Sequence, residues 1–286
     1  MVSPIDDDDA DGHWRPPSNR LSLEGGLWRS SGNTPVSYPS DGNCLFSEVE
    51  ESSFWFKHRL DCIQTVLRRY PASGAIYDLG GGNGYVASAI QSAGIDVVLV
   101  EPGSGAQFAR DRGVRKVIKS TVEDAAFDPG TLAAVAVFDV LEHIGDDVGF
   151  LKEIARSLKA HGRLYCTVPA YPFLWSDEDV HTGHYRRYTR RRLVRDLSLA
   201  GFQVDFITSF FIWLTVPLFV FRALPSRFNL KHNYRPRNVA EVKAEHKMPA
   251  LLTPLMSAID AWEIRQLAKA KTVPFGASIL CVAHVE

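Results

Sequence analysis

The chain has 286 residues, 45% of them hydrophobic and 23% charged, and a formal net charge of −1. It is long enough to bury a real core as one large α/β domain or two small ones, and it carries no overall field toward nucleic acid or an anionic membrane. Cys44, Cys62, Cys166 and Cys281 form no C-x-x-C pair, which argues against a zinc knuckle or a disulfide framework and makes a reducing, cytoplasmic setting the default. Residues 1–43 are rich in Asp, Ser, Pro and Gly and include an aspartate run at 6–9. They read as a mostly disordered or loosely packed arm without a secretory signal, leaving 44–286 as the folded domain.

From Ser47 onward helix and strand signals alternate. Phe56, Leu60, Ile63 and Leu67 recur at helical spacing, AIYDL (75–79) is an apolar run ended by glycine, and Val86, Ala87 and Ile90 open a helix stopped by Gly94. DVVLVE (96–101) is the next strand. Ser104 is a candidate cap for a helix closed by Gly113, and VRKVIKS (114–120) follows as a strand. LAAVAVFDV (132–140) reads as a buried strand. Asp146 then caps a helix carrying Leu151, Ile154 and Leu158, with Gly162 as its stop before RLYCTV. Thr189 opens a helix ended by Gly201, ahead of FQVDFI (202–207). Strands separated by single helices imply β-α-β crossovers: a doubly wound, mostly parallel sheet with helices on both faces. Ligands of such sheets sit outside the carboxyl ends of the strands, near the reversal of strand order. The loop after AIYDL, Glu101, Thr121 and Asp139 therefore share one rim.

That loop, GGGNGYVA (80–87), satisfies G-x-G-x-x-[GA], with Glu101 near the distance expected of a ribose-binding acid. Taken alone the pattern suggests NAD; no Gly-Lys-[Ser/Thr] follows, so it is not a P-loop. Asp78 immediately precedes the glycines, where a carboxylate repels a pyrophosphate and attracts an ammonium. S-adenosylmethionine, with an α-ammonium, a sulfonium and no phosphate, fits better. An NAD-dependent oxidoreductase and a non-catalytic binding protein stay open as alternatives.

DLGGGNG (78–84) resembles the first motif of the class I S-adenosylmethionine-dependent methyltransferases, and VFDVLEHIGDD (137–147) resembles the motif after their fourth strand. HGRLYCTVPAYPFLWSDEDVHTGHYRRYT (161–189) and VPFGASILCVAHV (273–285) look like the fifth-strand region and ending of a subgroup of these enzymes. The resemblance covers residues 38–286. It implies a Rossmann-like fold with a seven-stranded sheet and a helical cap, here 211–272, inserted before the last strand. It further implies that Asp78, Gly80, Gly81, Gly82 and Gly84 line the methionyl and ribose part of the cofactor, and that Glu101 accepts the ribose hydroxyls. Thr121, Val122 and Glu123 fall where the adenine contact belongs, although the aspartate expected near Thr121 is missing, and Asp139 faces the methyl group.

Methyl transfer is an in-line displacement, so acceptor orientation and exclusion of water matter most, with a base where the acceptor needs one. The candidates for this work are His143, Asp139, Tyr171 and His184. His181, Tyr185, Arg186 and Arg187 are candidates for receiving an anionic phosphate or carboxylate group. Arg190, Arg191 and Arg192 crowd the first turn of a helix, where the macrodipole disfavours positive charge, so something should offset them. Asp177, Asp179, His181 and His184 form only a weak metal pattern, and no metal is assigned. Residues 206–221, FITSFFIWLTVPLFVF, carry no charge but fall short of the ~20 residues of a spanning helix and contain Pro217. With a basic patch at 227–247, they suit a cap over a small-molecule or lipid-like acceptor that has an anionic head and an apolar tail, and a peripheral membrane contact. Nucleic acid is not expected as a partner, because no Asn/Asp-Pro-Pro-Tyr motif or recognition domain is present.

Overall fold

The computed structural model describes residues 14–32, 34, 37, 49–228 and 253–286. Cys44, most of the expected basic patch and the first thirteen residues lie outside the described residues. The first elements correct the expectation of an unstructured arm. Leu21–Glu24 (β1) and Leu27–Ser30 (β2) pair antiparallel around Gly25 and Gly26, at φ 57° and 77°. A two-residue hairpin turn needs positive φ at both positions, and the alternation LSLE before Gly-Gly is a signal of it readable in the sequence.

The alternating elements follow: Phe54–Arg69 (α1), Ile76–Leu79 (β3), Tyr85–Ser92 (α2), Val97–Val100 (β4), Gly105–Asp111 (α3), Lys116–Lys119 (β5), Val122–Ala125 (α4), Leu132–Phe138 (β6), Asp147–Ser157 (α5), Leu158–Pro169 (β7), Asp177–His181 (α6), Arg190–Leu199 (α7) and Phe202–Phe210 (β8). Ser53, Asp146 and Thr189 cap α1, α5 and α7 by accepting backbone N–H bonds, whereas the Ser104 side chain makes no capping bond to α3. Leu158 is the first residue of β7 rather than the last turn of α5, and Gly162 lies inside that strand. A bulge at 159–162 separates the Leu132–Leu158 and Ala134–Arg163 pairs. Leu158 is buried in either assignment, so its apolar character did not discriminate between them.

The sheet has nine strands in the order β1-β2-β5-β4-β3-β6-β7-β9-β8, where β9 is Ser278–Val285. The expectation of a seven-stranded sheet is thus corrected, since the strands from β5 to β8 account for only seven of the nine. The other two are the hairpin, which pairs parallel to β5 through Trp28–Ile118 and Arg29–Lys119 and covers what would be a bare edge. Strand order reverses at β3, which pairs parallel with both β4 and β6, and the glycine loop leaves its carboxyl end. Strand residues alternate between two cores. Tyr77, Val98 and Val135 pack with α5 and α7 through Leu151 and Leu193, while Ile76, Leu99 and Ala136 pack with α1 and α2 through Ile63 and Ile90.

Between β8 and β9 the chain forms Thr215–Leu218 (α8), a π-helical turn Phe219–Ala223, Leu224–Arg227 (α9) and Thr253–Ala268 (α10). Residues 206–210 belong to β8, so the apolar run is part strand and part helix. No helix of the described residues is long and apolar enough to cross a membrane. One carboxylate anchors this segment. Glu263 on α10 is fully buried, accepts Phe211 N at 3.0 Å and Ile212 N at 2.7 Å, and lies 2.7 Å from His58 Nε2 on α1. Glu263→Ala removes the acceptor of two backbone N–H groups and leaves His58 Nε2 with only the 3.5 Å approach of Asp260 Oδ1 and the Cys62 sulfur, and is expected to cost about 3–5 kcal/mol of stability. Glu263→Gln, which keeps a carbonyl acceptor, should cost less, and urea denaturation of the two variants checks the ranking.

Candidate active site

After β3 the chain turns through Gly80, Gly82 and Gly84, all at positive φ. The cavity wall includes Gly80, Gly81 and Gly82, and a Cβ on Gly81 would lie 2.8 Å from Asp78 Oδ2, so any ligand approaches bare backbone here. Gly84 does a different job from the one expected. It caps α2 at φ 73° outside the cavity wall, and a Cβ there would meet Ala109 of α3 at 2.7 Å, so glycine lets α2 and α3 pack closely.

The loop opens into a cavity of about 1220 Å³, larger than the roughly 300–1,000 Å³ of a pocket for one small ligand. Asp78 on its floor is 1% exposed, and its Oδ2 has no hydrogen-bond partner among the described residues. Burial raises its pKa to about 7, with Arg59 opposing the rise and Glu101 adding to it. Glu101 ends β4 and accepts Gly82 N at 3.0 Å and Gly103 N at 2.8 Å. Thr121 spends its hydroxyl capping α4 at Asp124 N (3.1 Å); buried Val122 and exposed Glu123 follow it on the wall.

Asp139 ends β6 in the left-handed region, at φ 59°, and Arg59 holds it there. Arg59 Nε lies 2.6 Å from Asp139 Oδ2, its Nη2 donates to Phe138 O at 2.9 Å, and its guanidinium sits 5.2 Å from the Trp55 ring centre. Sequence reasoning missed Arg59, and nothing local marks it, because its partner is eighty positions away. Glu50 was missed too; it accepts Asn83 Nδ2 at 3.2 Å and pairs with Arg112 at 2.6 Å on the same wall.

Past Asp139, Leu141–His143 make a 3-10 turn. Glu142 is 1% exposed, Oε2 has no hydrogen-bond partner among the described residues, and burial followed by the Asp139 charge pushes its pKa well up. Burial and then the neighbouring His184 pull His143 down to about 3. It is therefore neutral at working pH but a weak proton acceptor, which of the two roles expected from sequence, base or orienting group, suits the second better. The His143 and His184 rings meet edge to face, 4.7 Å between centres. His184 Nδ1 is 2.9 Å from Asp179 Oδ1, and Arg187 Nε pairs with the same oxygen at 2.8 Å. Burial raises the Asp179 pKa, but these two partners outweigh it and leave the carboxyl low.

His143, His184, Tyr185 and Arg187 thus line the cavity with the cofactor candidates; Tyr171, His181 and Arg186 do not. Tyr171, at φ 59°, stacks between Phe173 and Phe275, and His181 is exposed at the end of α6. Arg186 is taken by Asp147 at 2.6 Å and Gly145 O at 2.7 Å, a structural pairing in place of the expected acceptor contact. Asp147 also receives Tyr188 Oη at 2.8 Å and lies 3.5 Å from Arg192, which Asp196 flanks at 3.3 Å. Asp147 and Asp196 thus offset the charge of Arg192 at the start of α7, while Arg190 donates to the neutral Ser209 Oγ at 3.0 Å. Asp177 accepts Ser226 Oγ, and Asp177, Asp179, His181 and His184 do not gather their ligand atoms into one group among the described residues. Among the described residues, ligand-type atoms instead gather in two groups, Glu142 with His143 and His184, and His58 with Cys62 and Glu263.

Residues 54–206, more than half of the chain, match the methyltransferase domain family. The chain belongs to that family. A Mycobacterium tuberculosis protein described as a probable S-adenosylmethionine-dependent methyltransferase is 25% identical over 138 residues, 48% of this chain and 50% of its own length. The chain thus spans about half the length of the curated relatives it matches. The fold is shared with a methyltransferase solved in complex with the Haloferax volcanii Trm112 activator (TM-score 0.57, 16% identity, 86% of this chain and 98% of that one). It is also shared with a geranyl diphosphate C-methyltransferase of Streptomyces coelicolor, solved with Mg2+, geranyl diphosphate and S-adenosylhomocysteine (TM-score 0.52, 17% identity, 89% and 92%).

The residues present fit the family's cofactor. The orphaned Asp78 Oδ2 suits an ammonium, Glu101 suits ribose hydroxyls, and the bare backbone at Gly81 leaves room for close approach. A pKa raised to about 7 means that Asp78 keeps its proton below neutrality and favours the fold there; this contribution is lost as pH rises through about 7. Ammonium binding demands the carboxylate. S-adenosylhomocysteine affinity should therefore rise with pH up to about 7 and then level off. Near pH 6.5 its binding should release a proton, visible by calorimetry in buffers of different ionisation heat and absent in Asp78→Asn.

Proposed function

We propose that the chain is an S-adenosylmethionine-dependent methyltransferase acting on a small-molecule or lipid-like acceptor with an anionic head and an apolar tail. One observation carries the reading: a single cavity runs from a buried carboxylate, Asp78, whose Oδ2 has no hydrogen-bond partner among the described residues, to a cluster of histidines and an arginine walled by apolar side chains. Asp78, Gly80, Gly81, Gly82 and Glu101 hold the aminoacyl and ribose parts of the cofactor, Thr121, Val122 and Glu123 its adenine, and Asp139 faces the reacting end. When bound, the cofactor supplies an electrophilic methyl group on a sulfonium.

The remaining wall orients the acceptor. His184, with Nδ1 committed to Asp179, keeps Nε2 for the cavity, the arrangement of a carboxylate-oriented general base. Arg187 shares Asp179 with His184 and presents positive charge to an anionic head. Leu214, Pro217, Leu218 and Phe221, from the segment read as a cap (211–272), make an apolar wall for the tail and help to exclude water. An acceptor of that build is known on this fold in the S. coelicolor enzyme. Exposed Val216, Phe221 and Phe228 beside Arg222 and Arg227 suit contact with an anionic lipid surface.

Calorimetry with S-adenosylmethionine, S-adenosylhomocysteine and NAD tests the core of the reading. Both sulfur ligands should bind; tight binding of NAD alone would overturn it. Asp78→Ala and Glu101→Ala should each weaken cofactor binding by about 1–3 kcal/mol, and unchanged affinity in both would remove the site assignment. For the acceptor, flotation with anionic liposomes should show binding that falls in Phe221→Ser. Absence of flotation, with turnover confined to soluble acceptors, would exclude the lipid branch.

A further inference from the structure

We propose that Glu142, His143 and His184 bind a divalent transition-metal ion, zinc-like in its ligand preference, at the acceptor end of the cavity. Their ligand atoms lie within 4.8 Å of one another, and all three residues line the cavity. Bonds of about 2.0–2.2 Å to nitrogen and oxygen would draw these atoms together by roughly 1 Å, a side-chain adjustment. The two segments are already held against each other, because Tyr185 N donates to Glu142 O at 2.7 Å and Ser37 Oγ lies between His143 O at 2.9 Å and Gly183 O at 3.3 Å.

Two further observations point to an ion. Glu142 is almost wholly buried, yet its Oε2 lacks a hydrogen-bond partner among the described residues; a carboxylate in that position is costly unless a cation meets it. Asp179, equally buried, binds His184 Nδ1 at 2.9 Å and is itself held by Ser176 N at 2.9 Å and Arg187 at 2.8 Å. That carboxylate fixes the tautomer and ring orientation of His184, as the outer carboxylate of a carboxylate–histidine–zinc arrangement does. The other cluster lacks these features. In His58, Cys62 and Glu263 the carboxylate already accepts two backbone N–H groups, and none of the three lines the cavity.

Two imidazoles and one carboxylate with an open side form the donor set of catalytic zinc and related divalent sites. On the methyltransferase reading, on which this consequence alone rests, the free position takes an oxygen donor of the acceptor, such as a phenol, an enediol or a carboxylate. A coordinated hydroxyl loses its proton to solvent more readily. His184 then acts as a ligand instead of a base.

The full-length protein, stripped with a chelator, is titrated with Co2+ while visible absorption is followed, and S-adenosylhomocysteine binding is measured on the same samples. One equivalent of Co2+ should bind with ligand-field bands, and Zn2+ should displace it. Glu142→Gln and His184→Gln should abolish the saturable bands, and Asp179→Asn should weaken binding about 10- to 100-fold. No one-to-one binding by the unsubstituted protein, or binding indifferent to these substitutions, overturns the proposal. Should a variant fail to fold, imidazole nitrogen NMR of the unsubstituted protein decides: Zn2+ must shift the resonances of both His143 and His184, and unmoved resonances refute the site. Loss of S-adenosylhomocysteine binding with Co2+ binding intact would strike the methyltransferase reading and leave the metal site standing.

Discussion

The cavity depends on one guanidinium. Asp78, Glu101, Asp139 and Glu142 converge on the same space, and Arg59 is the cation whose charge acts on Asp78 and Glu142 while pairing directly with Asp139. Burial pushes Asp78 and Glu142 toward their protonated forms, and the Arg59 charge opposes that drive at both; at an effective dielectric near 20 a pair of opposite unit charges ~4 Å apart attracts by about 4 kcal/mol. Arg59 also donates to Phe138 O, which ties helix α1 to the end of β6. Structure and charge balance are thus the same contact. The neighbouring Trp55 ring shields it from solvent on one side.

The rim carries backbone strain at three strand ends, one of them on the cavity wall. Asp139, Tyr171 and Phe211 all adopt positive φ without being glycine, and each follows the carboxyl end of a strand: β6, β7 and β8. Such conformations cost about 1–3 kcal/mol each and persist only when the surroundings dictate them. Here the surroundings do. Arg59 fixes Asp139, Tyr171 N donates to Tyr188 O at 2.7 Å with an aromatic ring on either side, and Glu263 fixes Phe211. Three unlike devices hold one edge.

Much of the glycine-loop side of the cavity was legible in the sequence, because its signals are local. Glycines after a strand, an acid at the next strand end and Asp78 between them can be read without knowing the rest of the fold. The histidine and arginine side of the cavity was legible by residue type but not by placement. Arg186 and Arg187 are adjacent and alike, yet one is absorbed by Asp147 and the other faces the cavity. Arg59 was invisible, since within FKHRL it reads as one charged position on a helix whose burial depends on a strand end far along the chain. The hairpin was overlooked although its alternation and Gly-Gly turn were there, because the surrounding composition argued for an arm. Helix α5 was extended past Ser157 because an apolar leucine satisfies a helix face and a sheet face equally.

Glu263 has a consequence for how the molecule could change over time. It fastens the segment after β8 from within, through α10 and His58, without touching the glycine loop. The wall formed by residues 212–222 is therefore anchored through α1, the helix that also carries Arg59, and not through the glycine loop. Residues 212–222 can drift in size and polarity while the foothold beneath them stays intact, much as a replaceable jaw bolts to a fixed vice. Chemical diversity among descendants of this scaffold would then accumulate on one side of the cavity, with the other side left as inherited.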